Sequence, residues 1–280
     1  MKLLRVGQKG EEKPAALDKD GKIRDISSHI LDLNPDHLNF ETISKLQSAD
    51  LSSLPEISSS ERIGSCITKP GKFIAIGLNF SDHAAETGAE VPSEPITFMK
   101  ATSCINGPND DIEIVSGSKK LDWEVELGIV IGKHTKHISE AQSQDHILGY
   151  CLVNDISERE WQIEKMGQWV KGKSHDTYGP IGPYLVTKDE IADINNLKMS
   201  LDVNGQRMQT GNTNTMIFNV NVIVSYLSKF MSLQPGDIIT TGTPPGVGMG
   251  MKPQQFLKAG DTMRLSIENL GEQNSKVVAL

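Results

Sequence analysis

The sequence contains few cysteines and no long apolar run, and these absences exclude several classes of protein. Its three cysteines are odd in number, far apart and without CxxC spacing. This pattern argues against a disulfide framework or a cysteine metal site and predicts small buried side chains in a reducing compartment. No apolar run approaches the ~20 residues of a membrane helix, and the first residues are too short for a signal peptide, so we expect a cytoplasmic location.

The sequence also has no basic run. Its formal net charge is −8, with acidic and basic residues interspersed, which argues against nucleic acid or a membrane as the main partner. A small anionic substrate remains compatible, because a bound metal and a few local cations reverse the field at one site. The Gly- and Pro-rich segment at 241–248 lacks the Gly-Lys-Ser/Thr ending of a phosphate loop. The sequence shows neither a Gly-x-Ser-x-Gly nucleophile motif nor a Ser/His/Asp order, which disfavours a serine hydrolase.

The chain is predicted to consist of a small N-terminal β-rich domain, residues 1–65, and a larger domain, residues 66–280. A serine-rich stretch around residues 52–60 has the composition of a linker and marks the expected boundary. Apolar patterns and turn residues in the first domain predict three short strands, followed by a short helix. These are Lys2–Val6, Pro14–Leu17, Lys22–Ile26 and the helix Phe40–Leu46.

The larger domain is predicted to hold many strands and few, scattered helices. Helical spacing of apolar residues predicts one helix at Met216–Phe230 and a polar helix at Glu158–Trp169. Asn204-Gly205 predicts a type I′ hairpin turn. The fold class expected from this distribution is α+β, mainly β. The predicted strands are Lys72–Gly77, Pro95–Lys100, Ile112–Val115, Leu121–Ile131, Ile147–Ile156, Leu197–Val203, Ile238–Thr241 and a final strand, Met263–Ile267.

Three acidic residues in this domain form a candidate metal site. Glu124 and Glu126 are two apart in a predicted strand, so their side chains leave the same face, and Asp155 ends a separate apolar strand. Three carboxylates without a nearby cysteine are typical of hard cations such as Mg²⁺, Mn²⁺ or Ca²⁺. The alternative is a solvated strand face, and the apolar run Leu127–Ile131 weighs against it. We expect Asp122 to be a surface residue where the strand begins, not a fourth ligand.

Four segments, taken in order, resemble the fumarylacetoacetate hydrolase family over about Gly71 to Leu280. They are GLNFSDHAAE (77–86), DWEVEL (122–127), KSHDT (173–177) and TGTPPGVG (241–248). The resemblance implies a mixed β-sandwich or roll like the C-terminal domain of that family, in a homodimer. It also implies Mg²⁺ or Mn²⁺ held by Glu124, Glu126 and Asp155, with Ca²⁺ as a substitute in crystals.

The resemblance also implies catalytic roles for three residues. His83 and Glu86 are three apart on a predicted helix, so Glu86 can orient His83, and His83 can deprotonate a water molecule. The alternative is a solvated surface pair. The family pattern Lys-Ser-x-Asp-Thr selects Lys173, not Lys171, as the cation that faces the enolate or the substrate carboxylate. The alternative is a solvated loop lysine.

Substrate binding is expected from Arg159, Gln162 and Thr243. Arg159 follows Asp155 by four residues and Gln162 follows Arg159 by three, so one helical face can carry both. The alternative, that both side chains face solvent, has nearly even support. The Gly- and Pro-rich turn after a strand at 241–248 suits the presentation of backbone amides and a threonine hydroxyl to a carboxylate.

The reaction expected from the resemblance is metal-dependent hydrolysis of a C–C bond in a small 2,4-dioxo acid, an acylpyruvate or a diketo sugar acid. Alternatives at the same site are an oxaloacetate-type decarboxylase, a 2-oxo-acid isomerase or hydratase, and a ureidoglycolate-type lyase. The polar residues Arg159, Gln162 and Asn212 hint at a hydroxylated substrate. A non-catalytic, metal-stabilised domain is a separate class, which the presence of His83 and Glu86 disfavours.

Overall fold

The computed structural model describes residues 1–82, 86 and 90–280, and strands outnumber helices within them. The predicted α+β, mainly β class is therefore confirmed. The described helices are α1 (Phe40–Gln47), α2 (Val170–Lys173) and α3 (Val220–Phe230), with a π-helical turn at Glu160–Glu164. None of the described helices is long and apolar enough to cross a membrane.

The strands of the described part form two large sheets and two sheets of two strands each. In chain order they are β1 (Lys2–Val6), β2 (Lys13–Leu17), β3 (Ile23–Asp25), β4 (Glu56–Ile57), β5 (Phe73–Gly77), β6 (Ile96–Lys100), β7 (Ile105–Asn106), β8 (Ile112–Ile114), β9 (Leu121–Asp122), β10 (Val125–Ile131), β11 (Ile147–Asn154), β12 (Ser157–Glu158), β13 (Gly179–Pro180), β14 (Leu185–Thr187), β15 (Lys198–Val203), β16 (Gln206–Asn212), β17 (Ile238–Thr240), β18 (Thr262–Ile267) and β19 (Gly271–Ala279). The ten-stranded sheet has the order β4-β3-β2-β1-β14-β11-β10-β17-β5-β6, and the five-stranded sheet the order β16-β15-β18-β19-β8.

Strands β10 and β11 lie at the centre of the larger sheet and are buried along their whole length. Their β-branched and apolar side chains suit a strand that is covered on both faces. Strands β15 and β18 of the smaller sheet contact them, and the burial of β18 alternates, as expected for a sheet with one face in the core. Because β10 and β11 are antiparallel, β10 begins where β11 ends, and the three predicted metal ligands lie at this end of the pair.

The N-terminal strands belong to the larger sheet. Strand β1 pairs antiparallel with β14, and β2, β3 and β4 follow outward from it. The division into residues 1–65 and 66–280 stays a prediction. The three cysteines, Cys66, Cys104 and Cys151, are free and buried, as the sequence predicts.

Two local predictions are confirmed by the backbone. Strands β15 and β16 form the predicted hairpin, and Asn204 and Gly205 adopt φ values of 51° and 77°, as a type I′ turn requires. The predicted helix at 216–230 exists, but it begins at Val220. The side-chain oxygen of Asn219 caps it by accepting from the backbone N–H groups of Asn221 and Val222.

Three other boundaries were wrong. The strand predicted at 121–131 is interrupted at Trp123 and Glu124, because β9 pairs with β12 whereas β10 pairs with β11. The polar helix predicted at 158–169 is β12 followed by a π-helical turn. A further strand, β19, follows the one predicted as final. Its inward side chains include Gln273 and Ser275, so the apolar alternation that marks a strand is missing.

Candidate active site

The two central strands bring the three predicted metal ligands together. Strands β10 and β11 are antiparallel with Val125 opposite Asn154, and the backbone N–H of Asp155 donates to the carbonyl oxygen of Glu124 at 2.9 Å. Glu124, Glu126 and Asp155 are all buried, and ligand oxygen atoms from the three lie within 4.8 Å of one another. We call these three residues the acidic centre. Since they are buried, the alternative of a solvated strand face is wrong.

Two lysines neutralise part of the acidic centre. Lys173 Nζ lies 2.6 Å from Glu124 Oε2 and 2.8 Å from Asp155 Oδ2, as a buried member of α2. Lys100, at the end of β6, lies 2.5 Å from Asp155 Oδ1 and donates to the carbonyl oxygen of Lys173 at 2.5 Å. The choice of Lys173 over the exposed Lys171 thus agrees with the geometry. Lys100 was missed by the sequence reasoning, and its only signal is a lysine that ends an apolar strand.

Arg159 is the third cation at the acidic centre. Its Nη2 lies 2.7 Å from Glu124 Oε1, and its Nη1 donates to Gln162 Oε1 at 2.9 Å. Both side chains are buried, so the alternative in which they face solvent is wrong. Arg159 and Gln162 lie in and just before the π-helical turn, which directs both toward the acidic centre.

The expectation that Asp122 is a surface residue was wrong. Its side chain is fully buried. One carboxylate oxygen lies 2.8 Å from Arg159 Nε, and the two oxygens also accept from the backbone N–H groups of Gly248 at 2.7 Å and Met249 at 3.0 Å. Asp122 therefore holds Arg159 in place and connects it to residues 241–249, which we call the Gly/Pro-rich loop.

The two glutamates of the acidic centre have opposite electrostatic environments. Burial raises the pKa of Glu124, but the charges of Arg159 and Lys173 outweigh it and hold that pKa at about 2. Burial together with the charges of Asp155 and Glu124 raises the pKa of Glu126 well above its ordinary value. In the described part of the chain, no lysine or arginine nitrogen lies within ion-pair distance of Glu126. Its carboxylate accepts from the Thr240 hydroxyl and from the backbone N–H of Gly242.

The Gly/Pro-rich loop gives its backbone amides to acidic side chains of the protein itself. Besides the amide of Gly242 at Glu126 and those at Asp122, the N–H of Gly246 donates to Glu86 at 3.2 Å. The Thr243 hydroxyl donates to the carbonyl oxygen of Val125 at 2.9 Å and accepts from Gln209 at 2.8 Å. Thr243 nevertheless lines the cavity beside the acidic centre, and its role in substrate binding stays a prediction.

Of the predicted catalytic pair, His83 lies outside the described residues. Glu86 is described and is exposed at the Gly/Pro-rich loop, close to Gly246 and Gly250. The catalytic roles of both residues therefore stay predictions. Asn212 lies elsewhere: its side chain caps a 3₁₀ turn at residues 213–215 and donates to Asn196. Only Arg159 and Gln162 of the polar set that hinted at a hydroxylated substrate line the cavity.

A cavity of about 230 Å³ opens onto the acidic centre. Its volume is below the ~300–1,000 Å³ of pockets for drug-sized ligands and suits a small substrate. A larger groove of about 870 Å³ includes none of the predicted site residues. The smaller cavity is lined by Ile76, Gly77, Leu78, Phe98, Glu124, Glu126, Arg159, Gln162, Ile163, Trp169, Lys173, Gly242, Thr243 and Met249.

Known proteins resemble this chain both in sequence and in structure. The sequence profile described as fumarylacetoacetate (FAA) hydrolase C-terminal matches residues 72–278. A Burkholderia ambifaria protein named "Putative hydrolase" is 58% identical over 274 residues, which cover 98% of this chain and 97% of that protein.

Two solved structures show the same fold over the whole chain. Fumarylacetoacetate hydrolase from Exiguobacterium antarcticum is 33% identical with a TM-score of 0.88, and the match covers 100% of both chains. Maleylpyruvate hydrolase from Sphingobium sp. SYK-6, in complex with manganese(II) and pyruvate, is 27% identical with a TM-score of 0.83, covering 100% of this chain and 99% of that one. Similar structures also include a 2-hydroxyhepta-2,4-diene-1,7-dioate isomerase from Mycobacterium marinum.

Proposed function

Since the chain belongs to the fumarylacetoacetate hydrolase family, we propose that it is a metal-dependent hydrolase that cleaves a C–C bond in a small 2,4-dioxo acid. The observation that carries the proposal is Glu126. This carboxylate is buried at a small cavity beside two other acids, and no cation of the described chain pairs with it. An uncompensated buried charge is costly and is characteristic of a site completed by a ligand.

The acidic centre fits a divalent cation. Oxygen ligands on opposite sides of Mg²⁺ are about 4 Å apart and those around Ca²⁺ about 5 Å, close to the span of up to 4.8 Å between these oxygens. The donors are oxygen atoms only, which favours Mg²⁺ or Mn²⁺ over softer metals, and the manganese(II) in the Sphingobium relative supports the same choice. When bound, the ion supplies positive charge to the oxygen atoms of the 2-oxo-acid end.

Residues of the chain have separate roles in the proposed reaction. Arg159 and Lys173, both at the cavity, attract the carboxylate of a 2-oxo acid. His83, oriented by Glu86, takes a proton from water, and the hydroxide adds to the distal carbonyl carbon. The C–C bond then breaks, its electron pair forms the enolate of the 2-oxo acid, and a proton returns to that carbon. Lys173 stabilises the negative charge of this enolate, and Thr243 helps to position the substrate.

The proposal is tested with chelated protein and 2,4-dioxopentanoate. We expect no hydrolysis after chelation, and we expect Mg²⁺ or Mn²⁺ to restore the formation of pyruvate and acetate. Glu126→Gln is expected to remain inactive at every metal concentration while keeping the circular-dichroism spectrum of the parent protein. Full activity after chelation together with full activity of this variant would refute the metal-dependent mechanism.

His83→Ala separates hydrolysis from its alternatives. The variant is expected to bind Mn²⁺ but to produce no acetate from 2,4-dioxopentanoate, because water is no longer deprotonated. Decarboxylation of oxaloacetate by the same variant would limit His83 to water activation. A product with the same mass as a 2-hydroxy-dienoate substrate would instead identify an isomerase, the reaction named for the M. marinum relative.

The assembly and the location predicted from the sequence stay proposals. The family resemblance supports a homodimer, and light scattering on the eluted protein measures its mass directly. A cytoplasmic location is tested by fractionation of cells that express the full chain.

A further inference from the structure

The lining of the cavity consists of two chemically different groups of residues. The first group contains the charged residues, Gln162 and Thr243, and its cations Arg159 and Lys173 contact Glu124 of the acidic centre. The remaining side chains of the lining are apolar or aromatic and include Leu78, Phe98, Ile163, Trp169 and Met249. A substrate whose carboxylate faces Arg159 and Lys173 must therefore place its other end against this apolar lining.

Two aromatic rings lead away from the acidic centre. Lys173 Nζ, which contacts Glu124 and Asp155, lies 5.3 Å from the centroid of the Phe98 ring. The Phe98 ring in turn meets the Trp169 ring edge-on, with centroids 5.1 Å apart and an angle of 66°. Since each ring contacts the next, Phe98 and Trp169 form a continuous wall from the acids to the half-buried indole, and we call this pair the aromatic wall.

Gly77 creates the space that Trp169 occupies. A Cβ atom at Gly77 would lie 2.5 Å from Cζ3 and 3.0 Å from Cη2 of the indole, which is closer than real contacts allow. The indole therefore packs directly on the backbone at the end of β5. The position of the indole therefore depends on the absence of a side chain at position 77.

The described lining offers no charged partner to the far end of a substrate. Its cations are Arg159 and Lys173, and each already pairs with Glu124 of the acidic centre. A second carboxylate or a row of hydroxyls placed against the aromatic wall would lose water without gaining hydrogen bonds, whereas an apolar group would gain by leaving water.

We infer that the enzyme prefers 2,4-dioxo acids with an apolar, preferably planar, distal group, and that Trp169 determines this specificity. The inference rests on the proposed function for the orientation of the substrate. It excludes diacids and hydroxylated sugar acids as the preferred substrates. The small cavity sets a limit near one ring or a short branched chain.

The experiment compares three probes on Mn²⁺-loaded protein by calorimetry. They are 2,4-dioxo-4-phenylbutanoate, the diacid 2,4-dioxohexanedioate, and oxalate, which has no distal group. We expect the phenyl compound to bind at least tenfold more tightly than the diacid. Trp169→Ala is expected to weaken the phenyl compound at least tenfold and to leave oxalate unchanged. Trp161→Ala is the matched control, because Trp161 lies nearby but does not line the cavity, and it should change none of the three.

A diacid that binds as tightly as the phenyl compound would overturn the inference, as would a Trp169→Ala variant with an unchanged phenyl-to-diacid ratio. Gly77→Ala provides a second test if the tryptophan variant folds poorly, since it displaces the indole and should lower the same ratio. Hydrolysis is scored separately. If the protein binds the phenyl compound more tightly than the diacid but hydrolyses neither, the proposed reaction is wrong and the inferred specificity holds. If it hydrolyses 2,4-dioxo acids but does not prefer the phenyl compound, the proposed reaction holds and the inferred specificity is wrong.

Discussion

The protein contains two networks of buried or half-buried charges, and they are built differently. The N-terminal network lies around β1, and every acid in it touches an arginine. Its contacts are Arg5 with Asp32 at 2.6 Å and with Glu12 at 3.3 Å, and Arg62 with Glu12 at 2.9 Å and with Asp110 at 2.5 Å. In the acidic centre, Glu124 and Asp155 have cation partners, but Glu126 has none among the described residues.

The two networks therefore differ in charge balance: every acid of the N-terminal network has an arginine partner, whereas Glu126 has no cation partner among the described residues. Paired charges that keep some contact with solvent cost little and fix the geometry of neighbouring segments. A fully buried carboxylate without a cation partner destabilises the protein unless a positively charged ligand binds beside it. Burial alone therefore does not distinguish a candidate ligand site from a structural ion pair, whereas burial without a cation partner singles out Glu126 as a candidate.

The largest effect is expected from Lys173→Met. Removal of this ammonium group leaves Glu124 and Asp155 with one cation each and removes the charge that faces the enolate. We expect turnover to fall about 10²–10³-fold and the metal-free protein to lose about 3 kcal/mol of unfolding free energy. Steady-state kinetics and urea unfolding measure both. Lys171→Met, on the same helix but exposed, is the control and should be nearly neutral; equal losses in the two variants would contradict the assigned role.

The sharpest test of the comparison is a pair of identical substitutions. Glu126→Gln removes a buried carboxyl group that has no cation partner among the described residues, so the metal-free protein should become more stable at pH 7. Glu12→Gln removes a matched charge from Arg5 and Arg62 and should cost about 1–3 kcal/mol.

Activity should change in the opposite sense in the same two variants: Glu126→Gln loses it and Glu12→Gln keeps it. Urea unfolding and assays at saturating Mn²⁺ provide the four values. Stability changes of the same sign in both variants would show that the two networks do not differ in kind.

A smaller effect is expected from Asp122→Asn, which acts through Arg159. Asparagine keeps an acceptor oxygen for the backbone N–H of Gly248 but loses the charge and the oxygen that accept from Arg159 Nε and from the backbone N–H of Met249. We expect KM for 2,4-dioxopentanoate to rise about 3–10-fold, with little change in kcat. Asp122→Ala, which removes all of these contacts, should be worse; a change confined to kcat would contradict a positioning role.

The smallest effect is expected on the unfolding free energy at acidic pH. Burial opposes the charge of Glu12, but the hydrogen bond from Arg62 and the charge of Arg5 hold its pKa below the ordinary value. A lowered pKa in the folded state means that its contribution is complete above about pH 5 and is lost as the pH falls through the folded-state pKa. The stability gap between the parent protein and Glu12→Gln should therefore narrow in urea unfolding as the pH falls below the ordinary glutamate pKa of 4.5. A gap that stays constant to pH 3.5 would exclude this linkage.

The sequence was sufficient for the parts of the site that depend on local periodicity. The two-residue spacing of Glu124 and Glu126 at the start of β10 brings them together, and the apolar run of β11 leads to Asp155. The roles of Lys100 and Asp122 could not be predicted, because their partners are 55 and 37 residues away and no local pattern reports such pairing. Strand β19 was missed for a related reason: Gln273 is buried because its amide donates to backbone carbonyls of distant segments.

The antiparallel register of β10 and β11 has a consequence for how the chain reaches its native state. Side chains alternate between the faces of a strand, so a slip of one residue would send Glu126 to the opposite face of the sheet. A misaligned chain would thus lack a complete ligand set. An ion that binds only the correctly aligned pair stabilises that pair by mass action. Metal supplied during refolding is then expected to favour the correct alignment of the two strands before any substrate is present.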